Sequence, residues 1–335
     1  MDSGRTAASD SLELSDGRRL VYSITGPADG APVLYCHGAI GTPLGGSVDL
    51  RTVTARLRVR HIAPSRPGVG GSDRLPARRV ADFAADVREL ADALGLQAFS
   101  VVGVSAGGPY ALALAHALGA RITRVAVCSS LSPLCAPHQT PGMQRRIRLA
   151  LSLLARYPGF CRVLGDATLP VIARHPALLS HVIAAHAAPS ERGRLARPAE
   201  RAAASTSFLD AAAGGVEGLI DDFLTYSAPW GFEVSEIGCE VQLWHGLDDV
   251  LVPPEHALQL AATLPRCRVF LDPGEGHHFF RSNLARILAV LVGGEPGGGA
   301  AVETTVAGAR ALVRRRGALR PPRGAPRALA AGAGR

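Results

Sequence analysis

A serine framed by glycines is the residue best placed to do chemistry in this chain. Gly103-Val104-Ser105-Ala106-Gly107 closes the apolar run Phe99 to Val104 and precedes the alanine-rich stretch Pro109 to Leu118. A chain that turns sharply from a strand into a helix forces the residue at the turn into a strained backbone conformation. Side chains at Gly103 and Gly107 would collide across such a turn. The Ser105 hydroxyl is thereby lifted clear at a helix N-terminus, where developing negative charge is favoured. A serine held this way becomes a nucleophile when a histidine takes its proton and an acid orients the histidine.

Both partners follow along the chain, acid first and histidine second. The apolar run Val241 to His245 leads into Gly246-Leu247-Asp248-Asp249, so two adjacent aspartates lie just beyond a strand, and either one could orient a histidine. The run Val269 to Asp272 leads through a glycine-rich loop to His277 and His278, ahead of a helical run from Phe279 to Val292. Earlier, Leu34-Tyr35-Cys36 runs into His37-Gly38-Ala39, a loop able to present the Ala39 amide beside that of Ala106. Two such N–H groups would hold an oxyanion, and each donor contributes roughly a hundred- to a thousandfold in rate.

The elements that must position these residues can be read from periodicity. Ser11 to Ser15 and Arg19 to Thr25 flank Asp16-Gly17 and predict a hairpin at an antiparallel sheet edge. Pro32 to His37, Val59 to Pro64, Phe99 to Val104, Ile122 to Cys128, Val241 to His245 and Val269 to Asp272 are short apolar runs alternating with helical patterns. Alternation of that kind predicts an α/β fold: a mostly parallel sheet with helices on both faces. The expected core comprises residues 1–133 and 237–293. Residues 134–236 show helical periodicity and no strand, which predicts an inserted helical cap. Arg145 to Arg156, Ala177 to Ala187 and Val216 to Tyr226 read as its amphipathic helices, punctuated by Pro141, Pro158, Pro170, Pro176 and Pro189. Residues 294–335, rich in Ala, Gly, Arg and Pro and lacking aromatic side chains, read as a disordered tail.

The chain resembles the α/β-hydrolase-fold superfamily, of the serine hydrolase or esterase type with a helical cap. His37-Gly38, the loop from Ser65 through Arg66, Pro67, Gly68 and Gly70 to Ser72, GVSAGG, HGLDDVLVP and GEGHH stand in that superfamily's usual order across residues 11 to 293. The resemblance implies Ser105 as nucleophile, His277 as base and Asp249 as acid. The family spaces its aspartate three residues after the glycine and four before the proline, as in Gly246, Asp249 and Pro253, which leaves Asp248 second. It places its histidine directly after the glycine of GxGH, which leaves His278 as the neighbour. Ala39 and Ala106 are then the oxyanion donors, with His37, Gly38, Gly103 and Gly107 in support. A serine nucleophile argues against the epoxide hydrolases and haloalkane dehalogenases of this fold, which use aspartate. A single Ala39 after His-Gly differs from lipases of the HGGG type.

The implied activity is cleavage of a small-to-medium, largely apolar carboxylic ester through an acyl-enzyme, without cofactor or metal. Thioester hydrolysis, acyl transfer and carbon–carbon bond hydrolysis share the same apparatus. A ligand-binding protein without turnover, or a lyase using the three residues for acid–base work, would also keep the fold.

Composition narrows the field further. The 335 residues are 47% hydrophobic and 19% charged, ample for a buried core. No lysine occurs, so Schiff-base chemistry and a phosphate-loop lysine are excluded. The formal charge is +8, but eight Arg and two Glu from Gly294 onward carry +6 of it. The folded body is nearly neutral, so no nucleic-acid partner is expected for it. The six cysteines form no CxxC pair and read as reduced core residues. His116, His138, His175, His181, His186 and His256 show no ligand spacing and read as surface or cap residues. No run approaches a membrane span and no leader is evident, so a cytoplasmic protein of unspecified oligomeric state is expected.

Overall fold

The computed structural model of the chain describes residues 9–39, 41, 50–133, 143–294 and 302–319. Nine strands form one sheet: β1 (Ser9–Glu13), β2 (Arg19–Thr25), β3 (Ala31–Cys36), β4 (Val59–Pro64), β5 (Phe99–Val104), β6 (Ile122–Cys128), β7 (Val241–Gly246), β8 (Cys267–Asp272) and β9 (Val302–Thr304). Their spatial order is β1-β2-β4-β3-β5-β6-β7-β8-β9. The β1–β2 hairpin pairs antiparallel with β4, and β9 pairs antiparallel with β8. Every pairing from β4 through β8 is parallel.

Parallel strands buried on both sides should place successive side chains in two different cores. Val33 and Leu34, Val101 and Val102, Leu243 and Trp244, and Val269 and Phe270 do so, falling pairwise into two separate clusters. One cluster packs under α1 (Leu50–Leu57) and α11 (Phe279–Leu291). The other packs under α2 (Phe83–Ala93), α3 (Gly107–Leu118), α10 (Glu255–Thr263) and α12 (Val306–Leu319).

Among the described residues between β6 and β7 are six helices: α4 (Arg145–Arg156), α5 (Pro158–Arg174), α6 (Pro176–His186), α7 (Pro189–Leu195), α8 (Pro198–Ala211) and α9 (Glu217–Ser227). Pro158, Pro176, Pro189 and Pro198 open four of them, where the missing N–H has no intrahelical partner to lose. Pro170 departs from the sequence expectation: it lies inside α5 rather than punctuating it. Pro141, His138 and the rest of residues 134–142 lie outside the described residues.

The expectation of a disordered tail does not hold for residues 302–319. β9 extends the sheet past β8, and Arg268 grips Glu303 in a two-pronged ion pair at 2.7 and 2.8 Å. Ala309 and Val313 of α12 are buried against the core. A three-residue strand and two small buried side chains give almost no periodic signal, whereas the open edge of β8 supplies the missing hydrogen-bonding partners. Residues 295–301 and 320–335 of that tail lie outside the described residues.

Ending the chain at Gly294 would uncover the β8 edge and the core under α12. The shortened protein should unfold with about 1–3 kcal/mol less stability and elute partly as aggregate. Urea titration and size-exclusion chromatography of the two lengths check this; equal stability would mean that β9 and α12 contribute nothing.

Candidate active site

Ser105 sits between β5 and α3 with φ at +54°, a left-handed conformation costing a non-glycine residue roughly 1–3 kcal/mol. Close packing maintains it. A Cβ on Gly103 would lie 2.6 Å from the Gly107 carbonyl oxygen, and one on Gly107 would lie 2.1 Å from that of Cys36. The Ser105 N–H donates to the Cys128 carbonyl at 2.8 Å, tying the turn to the end of β6.

His277, in the loop between β8 and α11, brings Nε2 to 3.0 Å from Ser105 Oγ. Its Nδ1–H donates to Asp249 Oδ2 at 2.8 Å. Asp249 is fully buried, and its other oxygen accepts the N–H groups of Leu251 and Val252 at 2.9 and 2.8 Å. His245, at the end of β7, donates from Nε2 to the Val252 carbonyl at 2.8 Å, and the same nitrogen stands 3.4 Å from Asp249 Oδ2. Burial alone would raise the Asp249 carboxyl, but His277 and His245 outweigh it and hold the group far below the carboxylate range. Burial likewise opposes protonation of His277. Asp249, by charge and hydrogen bond, and then Glu191 reverse that, so the imidazole titrates above its ordinary value. Of the two aspartates, Asp249 therefore reaches the histidine. The Asp248 main chain donates instead to the Glu275 carbonyl.

The Gly38–Ala39 peptide lies beside the serine, since a Cβ on Gly38 would come within 3.6 Å of Ser105 Cβ. Its orientation is set by Arg66, a fully buried guanidinium that donates to the His37 carbonyl and, at 3.0 Å, to the Gly38 carbonyl. His37 Nε2 accepts the Arg66 N–H at 3.2 Å, and its Nδ1 donates to the Gly38 carbonyl at 2.9 Å. In a planar trans peptide the N–H points away from the C=O, so fixing the Gly38 oxygen on Arg66 turns the Ala39 N–H the opposite way. Burial, with Arg66 second, depresses the His37 pKa to about 3. Neutral and with both nitrogens engaged, His37 holds the loop rather than carrying protons.

Two further groups escape sequence reasoning. Asp222 on α9 accepts Arg66 at 2.8 and 2.9 Å, Arg78 at 3.1 Å and the Tyr110 hydroxyl at 2.6 Å. It balances the buried charge that holds the His37–Gly38 loop. Glu191 on α7 is buried, and its carboxylate accepts the backbone N–H groups of His277 at 3.1 Å and His278 at 2.5 Å. Arg194 links Glu191 to Glu275 of the same loop, at 3.3 and 3.2 Å. Asp222 gives one sequence signal, an acid inside the largely apolar helical stretch Gly218 to Tyr226, whereas Glu191 lies in the polar segment Pro189 to Leu195 and gives none. His256 also corrects the reading, being buried rather than in the cap or at the surface. Its Nδ1 accepts the Ser132 N–H at 3.1 Å. Among the described residues no cluster of three metal-ligating side chains occurs, and no helix is long and apolar enough to cross a membrane.

A sheet of this order, with a serine at the β5–α3 turn and its acid and histidine after β7 and β8, defines a recognisable class. Residues 31–283 match the family described as alpha/beta hydrolase fold, and the chain belongs to that family. It is 33% identical over 129 residues to a non-heme chloroperoxidase of Streptomyces lividans, 38% of this chain and 46% of that protein, so it spans about half that relative's length. A bromoperoxidase from Bacillus anthracis superposes with a TM-score of 0.64 at 20% identity, covering 85% of this chain and 99% of its own. An esterase from Exiguobacterium antarcticum gives 0.61 at 18%, with the same coverage. At these identities the structural likeness concerns the fold.

Two measurements test the site. Asp222→Ala strands two buried guanidinium groups and should cost about 3–5 kcal/mol in urea unfolding. Glu191→Gln removes a negative charge facing His277, so the imidazole should titrate at lower pH than in wild type when followed by NMR; an unmoved titration would deny that Glu191 acts on the histidine.

Proposed function

We propose that the chain is a serine hydrolase cleaving a small-to-medium, largely apolar carboxylic ester, or a related acyl bond, through an acyl-enzyme. The observation that carries this reading is the continuous relay from Ser105 through His277 to Asp249, at 3.0 and 2.8 Å. His277 takes the Ser105 proton as the oxygen attacks the acyl carbon, and the imidazolium so formed faces a carboxylate already ionised. The Ala39 and Ala106 amides receive the negative charge on the carbonyl oxygen. His277 then protonates the leaving alcohol, activates a water against the acyl-enzyme and returns the proton to Ser105. No step calls on a metal or cofactor. The preference for apolar acyl groups rests on the resemblance and on the apolar residues that the helical insertion turns toward the core, such as Leu151 and Leu154.

The partial match to a chloroperoxidase favours a second reading of the same site. Hydrogen peroxide in place of water would attack the acyl-enzyme and release a peracid, regenerating Ser105, and the peracid rather than a metal would oxidise halide. Monochlorodimedone bromination that requires both acetate and peroxide, and vanishes in Ser105→Ala, would support it.

Ser105→Ala should lower p-nitrophenyl ester turnover by about 10⁴-fold or more and abolish the single fluorophosphonate adduct seen by intact mass. Turnover undiminished in that variant would overturn the acyl-enzyme scheme. Since only neutral His277 can act as base, kcat/KM should fall as pH drops, with its midpoint above the ordinary histidine value because Asp249 outweighs burial.

A further inference from the structure

Large apolar side chains exposed to solvent are concentrated in one place. Of the ten exposed among the described residues, nine lie between Leu149 and Val182, eight on α4, α5 and α6 and Tyr157 at the α4–α5 corner; Leu149 is 71% exposed, Val163 70% and Phe160 60%. Soluble surfaces carry such residues singly as a matter of course, but a contiguous set marks an interaction surface.

The arrangement is two-sided. On α4 the inner residues Leu151 and Leu154 pack against the main core. The outer stripe runs Arg145, Leu149, Leu153, Arg156, with spacings of 4, 4 and 3 residues that keep one helical face. The two arginines are thus separated by about 16 Å, with leucines between them. On α5, Phe160, Leu164, Val171 and Arg174 share a stripe in the same way. Leu178 and Val182 add one more on α6. At the α4–α5 corner the exposed Arg156 guanidinium stands 5.3 Å from the Tyr157 ring centre. Arg146 spans α4 and α6 through the Ala185 carbonyl at 2.7 Å, which ties these two helices together.

The charge of this layer is one-sided. Between residues 143 and 189 there are six arginines and one acid, Asp166. Arg162 turns inward, to Glu217 at 2.8 Å. A second copy of the chain would oppose arginine to arginine across the apolar face, whereas an anionic lipid surface meets both halves of the pattern. Leucine and phenylalanine enter the acyl boundary while the flanking guanidinium groups reach phosphates.

We propose that α4–α6 form a peripheral docking face for an anionic lipid bilayer, on which the protein rests without spanning it. The inference goes beyond the acyl-enzyme reading and does not depend on it, because binding is measured without turnover.

The test is flotation of the full chain with phosphatidylcholine vesicles, with and without about one third phosphatidylglycerol. Wild type should float with the anionic vesicles and be released by salt. Leu149→Glu/Phe160→Glu and Arg145→Glu/Arg156→Glu should each cut partitioning by about tenfold or more while leaving the circular dichroism spectrum unchanged. Three results would overturn the proposal. Equal binding to neutral vesicles would remove the role of the arginines. Full binding by both variants would move the contact to the arginine-rich C-terminal segment. Absence of vesicle binding, with a sedimentation-detected dimer that Leu149→Glu/Phe160→Glu dissolves, would assign the face to a second copy.

Discussion

The start of α3 rests directly on the end of β3. With the Cys36 carbonyl only 2.1 Å from where a Gly107 Cβ would stand, no side chain separates the two. That contact has two chemical effects. It leaves Ser105 no relaxed backbone conformation, so the hydroxyl projects from the turn, and it brings the loop after β3 alongside the serine. Ser105 and the His37–Gly38 loop are therefore brought together by one close approach, and Arg66 then orients the loop. The acid and the histidine need no such constraint, since parallel strands deliver their following loops to a common sheet edge.

Electrostatically the site is organised around three buried carboxylates with separate partners. Asp249 is shared between two histidines and two backbone amides, Asp222 between two arginines and a tyrosine, and Glu191 between two backbone amides and Arg194. Each carboxylate would be costly to bury alone, and each fixes a different part of the machinery: the imidazole, the loop that orients the Ala39 amide, and the backbone of the histidine loop. The balance differs between them. Opposite charge overcomes burial at Asp222 and Asp249, whose carboxyls titrate low, whereas burial dominates at Glu191, whose carboxyl titrates high.

What could be read in the sequence was what local physics dictates. β4, β5, β6 and α4 fall at the residues expected from periodicity alone, because each is bounded by sharp changes in hydrophobicity. The serine turn, the two candidate aspartates and the histidine were legible because strand ends and glycine spacing are local signals. Choosing Asp249 over Asp248 required a resemblance; in the structure Asp249 is hydrogen-bonded to His277. Non-local partners were invisible. Arg66 and Asp222 stand 156 positions apart in the chain, and Glu191 and His277 86 apart. β9 and α12 were missed for the related reason that their stability comes from the edge of β8 rather than from their own composition.

The helical insertion is joined to the candidate site by Glu191 on α7 and by Asp222 on α9. Were α7 to move away from the sheet, the N–H groups of His277 and His278 would lose their acceptor and the imidazole would lose a negative neighbour that favours its charged form. The geometry of the His277 loop and the seating of the insertion are thus linked in free energy. The same insertion turns its apolar and basic side outward on α4 to α6. Within one insertion, α7 and α9 thus face the candidate site through Glu191 and Asp222, while α4 to α6 carry the exposed apolar side chains.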